Sequence, residues 1–149
     1  MTDYELIIKQ MEALAEESAD PIPVMANVSA LLFNSMEYVN WAGFYLVKDD
    51  ALVLGPFQGN VACVRIEKGR GVCGTAWAED SVQLVPDIHA FSGHIACDSA
   101  SRSEIVVPIH RDGAVFGVLD IDSPKLARFS EEDKTGLTSL VAAMEEIIR

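Results

Sequence analysis

Apolar and polar positions along the chain repeat with two different periods. Tyr4, Ile7, Ile8, Met11, Leu14 and Ala15 recur at three- and four-residue spacing, the stripe of an amphipathic helix. Asp20-Pro21-Ile22-Pro23 ends that segment and opens another helix, since proline is tolerated in a first turn. The second stripe is Val24, Val28, Leu31, Leu32 and Ser35 or Met36. Near the far end, Ser130-Glu131-Glu132-Asp133 has the form of a capping box with a shortened third member, and acids suit a helix N-terminus. Leu137, Leu140, Val141, Met144, Ile147 and Ile148 follow on one face. Core packing accounts for all three stripes.

The middle of the chain alternates with the period of strands. Trp41–Val47 and Ala51–Leu54 flank Lys48-Asp49-Asp50, a hairpin signature. A second hairpin joins Glu104–His110 to Ala114–Ser123 through Asp112-Gly113. A two-residue loop there puts Ile105, Val107 and Ile109 on the same face as Asp120 and Asp122. A three-residue Arg111-Asp112-Gly113 loop, with glycine in the left-handed position, separates them. One face then holds Ile105, Val107, Ile109, Val115, Gly117, Leu119 and Ile121. The other holds Glu104 opposite Asp120, with Asp122 two residues on. The three-residue register is the one expected, and the acids lie on the face opposite the core. Two acids at i and i+2 are commonly a solvated strand face. However, aspartate is disfavoured in strands and opposed like charges are destabilising, so the group is also a candidate site for an ammonium group, a cation or a shared proton.

Composition narrows the classes. The chain has 149 residues, 50% of them hydrophobic, a size that fits one globular domain. A net charge of −12 opposes binding to nucleic-acid phosphates and to anionic membranes. No apolar run approaches the roughly 20 residues of a membrane helix. Met1-Thr2-Asp3-Tyr4-Glu5 is acidic and lacks a signal peptide's basic start, so a cytoplasmic location is expected.

In that setting the three cysteines, Cys63, Cys73 and Cys97, call for a reason. Cys97 lies in Ser92-Gly93-His94-Ile95-Ala96-Cys97-Asp98-Ser99-Ala100-Ser101-Arg102-Ser103, a polar stretch of small residues ending near an arginine. Such surroundings favour a reactive thiol over a structural one. Cys73, in Gly71-Val72-Cys73-Gly74-Thr75-Ala76-Trp77-Ala78, reads as a residue of a helix start packed on the sheet. A helix N-terminus is expected to lower its pKa, so that packing does not exclude reactivity. Trp77, among alanines, reads as core. His110, beside Arg111, reads as a surface residue of the turn.

Helices at both termini around a central antiparallel sheet resemble the GAF domain fold, an α+β architecture with the terminal helices packed on one face. Within it, the chain is similar to the free methionine-(R)-sulfoxide reductases. The resemblance runs from residue 40 to 123. It is carried by Asn40-Trp41-Ala42-Gly43-Phe44-Tyr45-Leu46, Leu54-Gly55-Pro56-Phe57-Gln58-Gly59, Ala62-Cys63, Gly69-Arg70-Gly71-Val72-Cys73-Gly74 and His94-Ile95-Ala96-Cys97-Asp98. It continues through Ser101-Arg102-Ser103-Glu104-Ile105-Val106-Val107-Pro108 and Gly117-Val118-Leu119-Asp120-Ile121-Asp122-Ser123.

The resemblance implies a single catalytic domain over residues 1–149 that reduces the free amino acid methionine (R)-sulfoxide. It implies Cys97 as nucleophile, oxidised to a sulfenic acid, with Cys63 as resolving thiol and Cys73 as a second or backup partner. Reduction by thioredoxin and NADPH, no bound cofactor, no metal and a homodimer are implied with it. Glu104, Asp120 and Asp122 would line the site, Glu104 and Asp122 near the sulfoxide oxygen, with an ionised acid on the substrate's ammonium group. Trp41 would contact the S-methyl group. The substrate carboxylate would meet backbone amides of residues 95–102. Two other classes stand beside this one. A sensory GAF module binding a cyclic nucleotide or another small ligand has no need of three thiols. A metal protein using Cys63, Cys73, His89, His94 and Cys97 would lack the usual ligand spacings.

Overall fold

The computed structural model describes residues 1–95, 97 and 99–149. Two helices, α1 (Tyr4–Leu14) and α2 (Pro21–Ser35), precede the strands β1 (Trp41–Lys48), β2 (Ala51–Gly59) and β3 (Arg65–Glu67). Helix α3 (Gly71–Glu79), strand β4 (Gln83–Val85) and a short 3-10 turn, Ile88–Ala90, lead to β5 (Ser103–Arg111) and β6 (Ala114–Ser123). Helix α4 (Glu131–Ile148) follows. All strand pairs are antiparallel, in the order β3-β2-β1-β6-β5-β4. The α+β architecture expected from the sequence is the one found.

The sheet carries a hydrophobic cluster on each face. On one, Phe44, Leu46, Ile105, Val107, Ile109, Leu119 and Ile121 pack against α1, α2 and α4, so the terminal helices share a face as expected. The helix stripes locate this core: Ile7 and Met11 of α1, Val24, Val28 and Leu32 of α2, and Leu137, Leu140, Val141, Met144 and Ile148 of α4 are buried. Leu14 is half exposed, while Met25 and Ser29 join the buried face of α2 because that helix presses broadly on β1 and β2. The capping box forms: Ser130 Oγ accepts from the Asp133 amide and Asp133 Oδ2 accepts from the Ser130 amide. Tyr4 donates to Asp133 Oδ1 at 2.6 Å, which keys α1 to the start of α4.

Of the two readings of the second face, solvated surface or site, the structure excludes the first. Trp41, Tyr45, Leu52, Val106 and Val118 form a second cluster there with Ile66, Val72, Cys73, Ala76 and Trp77, covered by α3 and the 3-10 turn. Trp77 is core, as read, with Lys68 Nζ 5.1 Å above its ring.

The register of the second hairpin also differs. Arg111 pairs with Ala114, so the loop is the two-residue Asp112-Gly113, both with positive φ. A bulge then admits one extra residue, since Ile109 faces Gly117 while His110 faces Val115. Beyond the bulge the pairing has shifted by two, and Glu104 lies opposite Asp122 rather than Asp120. Side-chain alternation reports only the parity of a register. A short loop plus a bulge has the same parity as a three-residue loop, which is why the apolar face was read correctly. Val115, inside the bulge, faces the second cluster instead of the first.

His110 is not in the turn but near the end of β5, between α3 and α4. Its Nε2 lies 2.6 Å from Asp80 Oδ1 and its Nδ1 3.1 Å from Glu145 Oε2. Burial pulls the ring's pKa down, but the hydrogen bonds to the two carboxylates outweigh it and the net shift is upward from 6.5. A raised histidine stabilises the fold fully below its unfolded value and loses that contribution as pH climbs through the folded value. His110→Ala should therefore lower Tm at pH 5.5 and much less at pH 9, the difference staying within the roughly 0.2–1 kcal/mol of exposed ion pairs. Thermal melts across that pH range check the sign; an effect that grows with pH would refute it.

Candidate functional site

The pairing of four strands sets one row of residues side by side. Glu104 of β5 faces Asp122 of β6, Asp122 faces Trp41 of β1, and Trp41 faces Gly59 of β2. The next row in register is Val106, Asp120, Gly43 and Phe57. All three acids lie on the second face, as expected, and the corrected register sets Asp122 between Glu104 and Trp41, while Gly43 places no side chain against Asp120.

Trp41 is fixed on every side. Its indole Nε1 donates to the Asn60 carbonyl at 3.1 Å, and its ring stacks on Phe57 and Tyr45 at centroid distances of 5.2 and 5.9 Å. Gly59 is required there: at φ +133°, a Cβ would come within 2.7 Å of Trp41 Cδ1 and 2.8 Å of the Asn40 carbonyl oxygen. Tyr45 has a second task, because its hydroxyl donates to the Cys63 carbonyl at 2.9 Å.

The cysteines enter from three other segments. Cys63, between β2 and β3, is bonded to Cys97, in the segment before β5, with Cα atoms 5.4 Å apart. In this oxidised form neither sulfur is a thiolate ligand. Cys73 is free and buried in the first turns of α3, with Sγ 3.9 Å from Glu104 Oε2. The donor atoms of Cys73, Glu104 and Asp120 all lie within 4.8 Å of one another. These groups line a cavity of about 50 Å³, whose walls also include Trp41, Tyr45, Arg70, His94, Cys97 and Asp122. Ser101 Oγ accepts from Asn40 Nδ2 at 3.1 Å, tying the segment before β5 to the start of β1.

Electrostatics follow from burial. Glu104 is pushed well above the usual carboxyl range by desolvation and then by Asp120 and Asp122. Burial also raises Asp120, partly opposed by its contacts with Glu104, Cys73 and Asp122. Asp120 is 5% exposed, and its Oδ1 accepts no hydrogen bond among the described residues. The Cys73 thiol is raised well above its ordinary value by burial, then by Asp120, Glu104 and Asp122. The expected lowering by the helix N-terminus is therefore overruled: one helix end cannot offset desolvation beside three acids. Amides proposed for a carboxylate at residues 95–102 include those of Ala96 and Asp98, which lie outside the described residues.

The model for the GAF domain family matches residues 28–149. The chain belongs to the GAF domain family. It is 52% identical over 97% of its length to a protein of Escherichia coli named free methionine-R-sulfoxide reductase, covering 88% of that protein. Its fold superposes on the reduced form of fRMsr of Staphylococcus aureus with a TM-score of 0.96, 48% identity, and coverage of 100% of this chain and 97% of that one. For the free methionine-R-sulfoxide reductase of Neisseria meningitidis in complex with its substrate, the TM-score is 0.93 at 46% identity, covering 97% and 87% of the chains.

Within this GAF domain the sequence reading named Trp41, the three acids and the cysteines, but missed Tyr45, Phe57, Gly59, Asn60 and Ser101. The parity of β1 could have found Tyr45, which shares the face of Trp41 in any regular strand. Gly59→Ala should displace Trp41 and destabilise the fold by about 1–3 kcal/mol, the range for forcing a side chain into such a backbone. Urea unfolding measures the loss and near-UV circular dichroism the displaced indole; an unchanged midpoint and spectrum would show that the Trp41 pocket tolerates a methyl group.

Proposed function

We propose that this protein reduces free methionine (R)-sulfoxide to methionine, with Cys97 as nucleophile and Cys63 as resolving thiol. One observation carries the reading: Cys97, bonded to Cys63, lines the same cavity as Trp41, Glu104, Asp120 and Asp122. A pair of thiols that can join beside an aromatic wall and buried acids suits a reaction that consumes two thiols and one oxygen. The names of the relatives from Escherichia coli and Neisseria meningitidis support the same substrate.

In the first step the Cys97 thiolate attacks the sulfoxide sulfur. The sulfur–oxygen bond breaks, the oxygen passes to Cys97 as a sulfenic acid, and one proton is supplied to that oxygen as methionine departs. Glu104 donates this proton; it is crowded by Asp122 directly opposite and by Asp120, and the crowding favours its protonated form. Asp122, between Glu104 and Trp41, lies on the sulfoxide side with it, and the member of the trio that stays ionised holds the ammonium group. Trp41 meets the S-methyl group through dispersion and sulfur–aromatic contact. The Cys63 thiol then attacks the Cys97 sulfur, water leaves, and the disulfide forms. A thioredoxin-class dithiol, itself reduced at the expense of NADPH, exchanges with that bond and restores both thiols. Cys73, buried and neutral against the acids, is a reserve partner that reaches Cys97 only if α3 moves.

A coupled thioredoxin and NADPH assay should show turnover of free methionine (R)-sulfoxide and none of the S epimer or of a blocked peptide analogue. Equal turnover of the blocked analogue would defeat the free-amino-acid reading. Cys97→Ser should abolish methionine release even in a single turnover, whereas Cys63→Ser should release about one methionine per chain and then stall, by the stoichiometry of the sulfenic acid step. A full first turnover by Cys97→Ser would move the nucleophile to another cysteine. Asp120→Asn should cut kcat/KM by roughly 100-fold or more, the scale of lost acid–base or charge contacts, while Tm holds or rises as a buried charge is removed. Normal kinetics in that variant would return Asp120 to a purely structural role.

A further inference from the structure

We propose that Cys73, Glu104 and Asp120 form a binding site for a zinc-class divalent cation at the floor of the cavity. The three donors come from α3, β5 and β6, elements whose positions are set by the second core rather than by loops. Their donor atoms already lie within 4.8 Å of one another, and Cys73 Sγ is 3.9 Å from Glu104 Oε2. A tetrahedral zinc ion with ordinary bond lengths holds a sulfur and an oxygen roughly 3.6 Å apart. The side chains therefore need to close by only a few tenths of an ångström for that pair. Asp120 supplies a second observation. It is 5% exposed, lines the cavity, and its Oδ1 is buried without a hydrogen bond among the described residues. Buried acceptors are seldom left so, and a coordinated cation satisfies them.

The donor set selects the class of ion. One thiolate with two carboxylates is too soft for magnesium or calcium, which take oxygen ligands, and suits zinc or cobalt(II). Three protein ligands leave a fourth position, as at open zinc sites, and here it faces the cavity that Cys97 also lines. Binding involves no change of oxidation state: the Cys73 sulfur–hydrogen bond and the Glu104 oxygen–hydrogen bond break, sulfur–metal and oxygen–metal bonds form, and both protons go to solvent. The ion would occupy the acids that the reaction proposed above uses, making zinc an inhibitor that competes with substrate. That consequence rests on the proposed reaction; the binding does not.

The oxidised protein gives a clean test, because with Cys63 and Cys97 joined, Cys73 is its one free thiol. Cobalt(II) added to the full chain in this form should bind at one equivalent and show a thiolate-to-cobalt charge-transfer band, with zinc displacing it. Magnesium and calcium should produce neither displacement nor a thermal shift. Cys73→Ser should lose the band and bind zinc at least ten-fold more weakly, and His89→Ala/His94→Ala should retain both band and affinity. Asp120→Asn, checked for an unchanged near-UV spectrum, should also weaken zinc by ten-fold or more and serves if Cys73→Ser does not fold. Absence of the thiolate band in the oxidised protein, or loss of binding only in the histidine variant, overturns the site. If zinc binds as described but does not inhibit turnover, the binding stands and the proposed role of the acids fails.

Discussion

Holding three carboxyl groups and a thiol against one face of a sheet is the constraint on which the rest of this structure depends. Each buried charge costs several kcal/mol to desolvate, and directly opposed acids add repulsion. Such a cluster persists only on a frame stabilised elsewhere. The frame is the opposite face, where Phe44, Leu46, Ile105, Leu119 and Ile121 meet three helices in a fully apolar core. The division is sharp because strands alternate: Ile105 and Ile121 pair across from one another as core, and the adjoining pair in the same two strands is Glu104 and Asp122. A single hairpin therefore supplies both the stabilising layer and the destabilised one.

The second face is organised to keep that cluster from water, which favours the neutral forms of Glu104 and Cys73. Trp41 and Tyr45 wall it from β1, and α3 lies over it with Cys73 at the point of contact. Small residues make the fit possible: a Cβ on Gly43 would come within 2.3 Å of Phe57 Cβ, and one on Gly59 within 2.7 Å of Trp41 Cδ1. Tyr45 joins the wall to the disulfide, since the ring that stacks on Trp41 carries the hydroxyl bound to the Cys63 carbonyl. The aromatic wall and the redox pair are thereby held in one frame.

What could be read from the chain follows from how local each signal is. The helix stripes and the Ser130–Asp133 cap depend on neighbours within one turn or two, and they appear where the sequence puts them. Strand alternation placed Ile105, Val107, Ile109, Leu119 and Ile121 on one face, because parity survives a bulge. The expected pairing of Glu104 with Asp120 did not survive, because a bulge at Val115 and Phe116 has no composition that marks it beforehand. The thiol at Cys73 was misjudged for a related reason. A helix N-terminus is visible in the sequence, whereas the three acids that oppose it come from strands some thirty to fifty positions later. The resemblance supplied what spacing could not, namely that Cys63 and Cys97 belong to one site.

The disulfide also has a topological consequence. It joins positions 34 residues apart, and the loop it closes contains the edge strands β3 and β4 and the helix α3 that lies over the acids. By loop-closure entropy, tying a segment of that length restricts its unfolded excursions by on the order of 3–4 kcal/mol. Opening the bond returns that freedom to residues 63–97, while the helices of the other face lie outside the loop. Oxidation thus adds to the helix above the acids a covalent tether that the core on the other side of the sheet does not share.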